Sequence, residues 1–222
     1  METIAPIAVE LSLDVVQAKL RVPSPEALEP LLADALSLAE AKAAFAVAYI
    51  EEKGTDEVVI EGRRFKSRVL RKNLEAVGRV FPAVVTIGSR LEQKADQSND
   101  LLEKYYLDMI GNLILAEARS SVSCQLCRRF AIGTLSWMSP GSLEDWPLEE
   151  QEPLFALLNG VEAAVGVRLT ESLLMLPRKS VSGIFFPSET TFFSCRLCPR
   201  PRCEGRKARY DEQAVKEYGL KD

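Results

Sequence analysis

One long amphipathic helix, set among short apolar runs, constrains this chain more than any other feature. From residue 99 to about residue 121, Leu102, Tyr105, Met109, Leu113 and Ala116 recur at three- and four-residue steps and form one apolar stripe. Ser98, Asn99 and Asp100 are capping candidates at its start. The stripe is expected to be core rather than the lining of a cofactor box. Around the helix the chain breaks into short pieces. Glu57-Val-Val-Ile-Glu61 reads as a strand turning at Gly62, and Ala83-Val-Val-Thr-Ile87 as a buried strand ending at Gly88. Further on come an element over residues 134–138, a helix over about 149–158, and an extended pair near residues 172–176 and 180–186, joined by Pro177-Arg178-Lys179. Strands interrupted by helices, with hairpin-like pairs late in the chain, predict an α+β fold with a largely antiparallel sheet. Residues 84–87, 173–176 and 181–186 should share that sheet, with the long helix packed on it.

The N-terminal part is read as an extended start over residues 4–9, a short helix after Ser12, and a helix over residues 27–44 begun by Ser24-Pro25. Residues 44–50 are ambiguous between helix end and strand, and residues 67–77 form a short amphipathic helix. With 222 residues, 47% hydrophobic and 27% charged, one large domain or two tightly packed lobes is expected. The division anticipated is an N-terminal α/β segment (1–78), a main core (79–194) and a Cys/Arg-rich tail (195–222). A net charge of −4 argues against a global nucleic-acid footprint. No run reaches the ~18 apolar residues of a membrane span, and Met1-Glu2-Thr3 lacks the basic start of a signal peptide. A cytoplasmic address is therefore expected. The chain contains no histidine, which removes Ser-His-Asp and Cys-His catalysis, His-ligated haem and His-containing zinc centres. No catalytic residue is assigned.

Several ordered segments carry a family resemblance. Ser139-Pro-Gly-Ser-Leu-Glu-Asp-Trp-Pro-Leu-Glu-Glu-Gln151, Leu154-Phe-Ala-Leu-Leu158, Gly166-Val-Arg-Leu-Thr-Glu-Ser172 and Met175-Leu-Pro-Arg-Lys-Ser-Val-Ser-Gly183 resemble the activation (reactivation) domain of cobalamin-dependent methionine synthase. Val85-Thr-Ile-Gly88 and Leu107-Asp-Met-Ile-Gly111 are similar to it as well. The resemblance spans roughly residues 80–193 and implies a helmet-like α+β fold. It also implies a domain that binds S-adenosylmethionine and docks over a cobalamin domain, so that inactive cob(II)alamin is reduced and remethylated with an electron-transfer protein as donor. The cobalamin is supplied by the partner, a corrinoid protein or corrinoid-dependent methyltransferase. The residues carried over as ligand-binding candidates are Trp137, Pro140, Gly141 and Ser142 in the family's adenosylmethionine loop, Glu171 and Ser172 beside the cleft, and Ser180 and Ser182 on one strand face. The loop departs from the family pattern, with Trp137 at an arginine position and Ser142 at a tyrosine position. Neither replacement imitates the planar, charge-assisted bonds of a guanidinium. Weak or no binding of adenosylmethionine is expected.

Cys124-Gln-Leu-Cys127 and Cys195-Arg-Leu-Cys198-Pro-Arg-Pro-Arg-Cys203 are the sharpest chemical pattern. Two-residue spacing lets both sulfurs reach one metal, which fits an iron–sulfur cluster or a four-thiolate zinc site. Redox thiols and buried structural cysteines are the other readings. The expectation is a single centre held by Cys195, Cys198 and Cys203 with Cys124 or Cys127. An iron–sulfur cluster is favoured over zinc, which cannot carry the one-electron reduction of cobalt. Three functional readings follow: an accessory factor supporting reductive reactivation with its own metal or iron–sulfur centre, a non-catalytic corrinoid-protein binding module that has lost adenosylmethionine binding, and a zinc-ribbon-like nucleic-acid binder built on the basic tail.

Overall fold

The computed structural model describes residues 1–21, 26, 28–203 and 205–220. The Ser24-Pro25 helix start lies outside them. In chain order the elements are β1 (Glu2–Ile4), α1 (Leu13–Leu20), α2 (Leu28–Leu38), β2 (Lys42–Phe45), β3 (Ala48–Lys53), β4 (Glu57–Ile60), β5 (Arg63–Lys66), α3 (Arg68–Asn73), β6 (Arg79–Thr86), α4 (Arg90–Gln97), α5 (Leu101–Phe130), β7 (Leu135–Met138), α6 (Gln151–Leu158), α7 (Val161–Val165), β8 (Arg168–Leu169), β9 (Met175–Leu176), β10 (Ser180–Pro187) and α8 (Glu212–Glu217).

β6 is the spine. Its sequence, Arg-Val-Phe-Pro-Ala-Val-Val-Thr, is apolar almost throughout because both of its faces are covered. β10 pairs with it on one side, and β2 and then β3 pair on the other, all antiparallel. β1 extends β2, β4 and β5 extend β3, and β7 extends β10 at the edge. A proline in a central strand costs a ladder bond, and Pro82 shows how the cost is avoided. Its carbonyl accepts from Ala46 N at 3.0 Å, so its missing N–H faces the break between β2 and β3, where no strand residue stands opposite.

Odd-numbered residues of β6 (Phe81, Ala83, Val85) and Phe185 of β10 face the cluster built with α1, α2, α4 and α5. Even-numbered residues (Val80, Val84) and Ile184 and Phe186 face the opposite side, toward β4, β5, α3, α6 and α7. The fold is therefore α+β, as expected, with the sheet covered on both faces.

Four local expectations are corrected. The long helix runs to Phe130, not 121, because nothing between Ser121 and Phe130 breaks it; Asp100 caps its start, and Ala131 in the left-handed region ends it. Its deeply buried row is Leu107, Ile110, Ile114, Ala118, Val122 and Leu126, whereas Leu102 and Tyr105 are exposed. The anticipated stripe is a neighbouring row, half-open to solvent at Met109 and Leu113. Helix 27–44 stops at Leu38, since Ala43 and Ala44 are needed as small residues in the buried strand β2. Residues 173–176 do not join the main sheet: only Met175 and Leu176 are extended, and they pair with β8 in a separate two-stranded sheet.

Candidate functional site

A cleft of about 610 Å³ opens between α5, the edge formed by β7 and β10, and the segment after residue 190. The size suits a small-molecule site. Its walls follow from strand alternation. On β7, Leu135 and Trp137 face α5, and on β10 Val181 and Phe185 do the same. Leu113 and Ala116 of the half-open row on α5 form the opposing wall.

Trp137 is fixed from several directions. Its ring packs on Phe185 with centroids 4.3 Å apart, and its Nε1–H donates to Ser139 Oγ at 2.7 Å. The indole can lie this close to β10 because the neighbouring residue is Gly183. A Cβ there would collide with the indole and with the Met138 carbonyl. Ser139 and Pro140 lead into a tight turn in which Gly141, at φ 76°, donates to the Trp146 carbonyl at 2.7 Å. Ser142 Oγ–H closes it by donating to Ser139 O at 2.6 Å. Ser142 thus spends its hydroxyl inside the loop and stands outside the cleft lining.

The guanidinium of Arg119 lies 5.5 Å from the Trp137 ring centroid and has no ion pair or hydrogen bond among the described residues. Burial pushes its pKa down. Lys207 enters from the C-terminal segment, and its pKa is also lowered, first by desolvation and then by the charge of Arg119. Arg119 is not singled out by the sequence, which gives Lys207 only as one member of the basic run over residues 196–209. The available signal was Arg119, a charged residue three positions past Ala116 beside the apolar stripe.

The other ligand candidates are not gathered here. Ser180 and Ser182 are buried on the opposite sheet face and hydrogen-bonded internally, neither in the cleft nor in water. Ser180 Oγ donates to Pro177 O (2.7 Å) and is hydrogen-bonded with the Thr86 hydroxyl (2.9 Å), and Ser182 Oγ donates to Gln151 Oε1 (2.8 Å). Gln151 in turn donates to the Leu173 carbonyl at 2.7 Å, which ties the turn holding Glu171 and Ser172 to the α6 side. Those two residues are exposed at the tip of that turn rather than on a strand beside the cleft. Strand alternation places 180 and 182 together correctly but cannot say which face is open.

The cysteines do not converge as expected. Among the described residues no group of three or more Cys, Asp or Glu side chains is placed to hold a metal. Cys124 and Cys127 ride on the last turns of α5, the first exposed and the second half-buried, where burial and the neighbouring Cys124 push the Cys127 thiol up. Cys195 borders the cleft, and its Sγ accepts from Lys207 N at 3.4 Å. Cys198 packs on the core cluster of α3 and β4, and Cys203 is exposed. The loop between them is organised by Arg206, whose guanidinium donates to the carbonyls of Cys195 (3.0 Å), Cys198 (3.3 Å), Ala208 (3.3 Å) and Arg200. A cation already occupies the middle of the turn, and the thiols point to different surroundings.

The fold can be compared with solved structures. The MetH reactivation domain bound to AdoHcy shares it with a TM-score of 0.55 and 13% identity, over 99% of this chain and 86% of that one. The family model described as "Vitamin B12 dependent methionine synthase, activation domain" matches residues 142–210. The activation-domain family is thus matched over about a third of the chain, and the fold is shared with the MetH reactivation domain throughout. No curated protein matches it significantly in sequence. The matched segment begins at the Ser142 turn and runs through β10 past the cysteine loop, so Cys195, Cys198 and Cys203 all fall within it. No helix among the described residues is long and apolar enough to cross a membrane.

Proposed function

We propose that this chain acts as an activation domain, docking on a corrinoid protein or corrinoid-dependent methyltransferase and supporting the reductive return of its cob(II)alamin to the methylated form. The observation that supports it most is the likeness to the MetH reactivation domain along 99% of the chain, joined to the family match over residues 142–210. Electrons come in this reading from a separate electron-transfer protein, since the thiols of this chain stand apart. AdoHcy in the MetH neighbour makes the cleft beside Trp137 the candidate ligand site here. Trp137 fills the strand position from which the family's arginine would reach, and Ser142 closes its own loop, so adenosylmethionine is expected to bind weakly. The same two residues favour a second reading, a docking module that works without adenosylmethionine.

The test is a reconstitution. A corrinoid methyltransferase holding cob(II)alamin is mixed with a low-potential reductant and adenosylmethionine, with and without this protein, and the visible spectrum is followed. Faster appearance of methylcobalamin is expected. A complex on gel filtration without acceleration would support the docking module instead. Neither complex nor acceleration with any corrinoid protein tried would sink both readings.

A further inference from the structure

The cleft beside α5 carries more positive charge and more idle hydroxyls than its apolar walls need. Arg119 is half-buried without a counter-ion, and Lys207 faces the same space, unpaired among the described residues. Ser120 and Ser123 of α5 and Thr191 of the segment after β10 also line the cleft, and their hydroxyls have no hydrogen-bond partner among the described residues. The opposing charge on the lining is Glu117. A half-buried cation without a counter-ion, with an exposed second cation and a set of hydroxyl donors around one cleft, is the inventory an oxyanion satisfies.

We propose that this cleft binds a small organic phosphate, with Arg119 and Lys207 on the phosphate oxygens, the hydroxyls of Ser120, Ser123 and Thr191 completing its shell, and the organic part against Val181 and Phe185. A guanidinium gives two parallel bonds to a phosphate, and an ammonium adds a point charge beside it. The depressed pKa values of both cations agree with a site whose positive charge is uncompensated, which a bound anion would relieve. The same field acts against a cationic sulfonium such as adenosylmethionine. The proposal goes beyond the reactivation reading and does not depend on it, since it concerns the isolated chain and no corrinoid partner.

The experiment is a binding series on the full chain, read by calorimetry and by intrinsic tryptophan fluorescence, with Trp146→Phe leaving Trp137 as the reporter. The probes are adenosine 5′-monophosphate, inorganic phosphate, adenosine and adenosylmethionine. The monophosphate should bind at least about tenfold more tightly than adenosine or adenosylmethionine, inorganic phosphate should compete with it, and added salt should weaken it. Lys207→Gln, at an exposed position that leaves folding intact, should weaken it about fivefold or more, and Arg119→Gln further, whereas Arg119→Lys should retain part of the binding. Equal affinity for adenosine and its monophosphate, no binding of either phosphate, or an unchanged affinity in Lys207→Gln would overturn the proposal. Because no corrinoid enters the test, its failure is separate from failure of the reconstitution.

Discussion

Asp145 sits in the loop after β7 with its side chain only 6% exposed, and three donors point at it. Ser67 Oγ donates at 2.6 Å, Val69 N at 2.9 Å and Arg68 Nε at 2.9 Å, while Ser67 also caps α3 by accepting from Leu70 N. One carboxylate thus joins residues 76 to 78 positions apart and holds the Trp146 turn against α3. Asp145→Ala strands these donors and should destabilise the chain by about 2–4 kcal/mol, read as a lower urea midpoint, with Asp145→Asn recovering part of the loss. An unchanged midpoint in the alanine variant would show that water replaces the carboxylate at no cost. In sequence Glu144-Asp145-Trp146 reads only as an acidic turn before a helix, because the partners of Asp145 lie far back in the chain. Trp137 and Ser142 were legible as departures from a pattern, but the packing of Trp137 on Gly183 was not.

At the level of elements, α8 is the short helix with the most charge-dependent anchorage. Asp211 caps it by accepting from Ala214 N at 3.1 Å and is paired with Arg196. The hydrogen bond from Arg196 first, and the Ala214 N–H second, hold the Asp211 carboxyl below its ordinary 3.8. A depressed carboxyl contributes stability above its unfolded value and loses it as the pH falls through the lower folded value. Glu150 acts in the opposite sense, because burial raises its pKa and the resulting penalty on the folded state fades as the pH falls. Acid should therefore loosen α8 locally, below about pH 4. Hydrogen exchange should show the α8 amides losing protection there ahead of β6. Asp211→Asn should remove that pH dependence, and equal protection of α8 at neutral and acid pH in the parent chain would contradict it. The long helix illustrates the limit of periodicity at this scale. Two apolar rows run side by side on α5, and spacing alone cannot tell the row against the sheet from the row along the cleft.

For the molecule as a whole, the C-terminal segment is part of the core rather than an appendage. Leu197, Ala214 and Val215 are 3–5% exposed in the cluster with Val69, Leu70 and Leu74 of α3 and the turn after it, and Tyr218 donates to Asn73 Oδ1 at 2.8 Å. Burying a Leu and a Val side chain contributes about 1.5–3 kcal/mol each. A chain ending at Ser194 should therefore melt about 10–20 °C lower than the full chain, and coincident melting curves would rule this out. From the sequence, three cysteines among arginines and prolines had no visible core to enter, because the α3 residues of the cluster that takes up Leu197 and Cys198 are more than a hundred residues upstream. What the residues determined unaided is what short-range physics encodes: alternation and apolar runs set the strands β6, β7 and β10, 3.6-residue periodicity with an Asp cap set α5, and the absence of histidine excluded whole chemistries. What only the tertiary structure decided depends on contacts between distant segments. It decided which face of β10 is open, which row of α5 is buried, where the thiols end up, and that Arg119 and Lys207 share one cleft. Burial and charge proximity are properties of the packed chain, and neither periodicity nor spacing carries them.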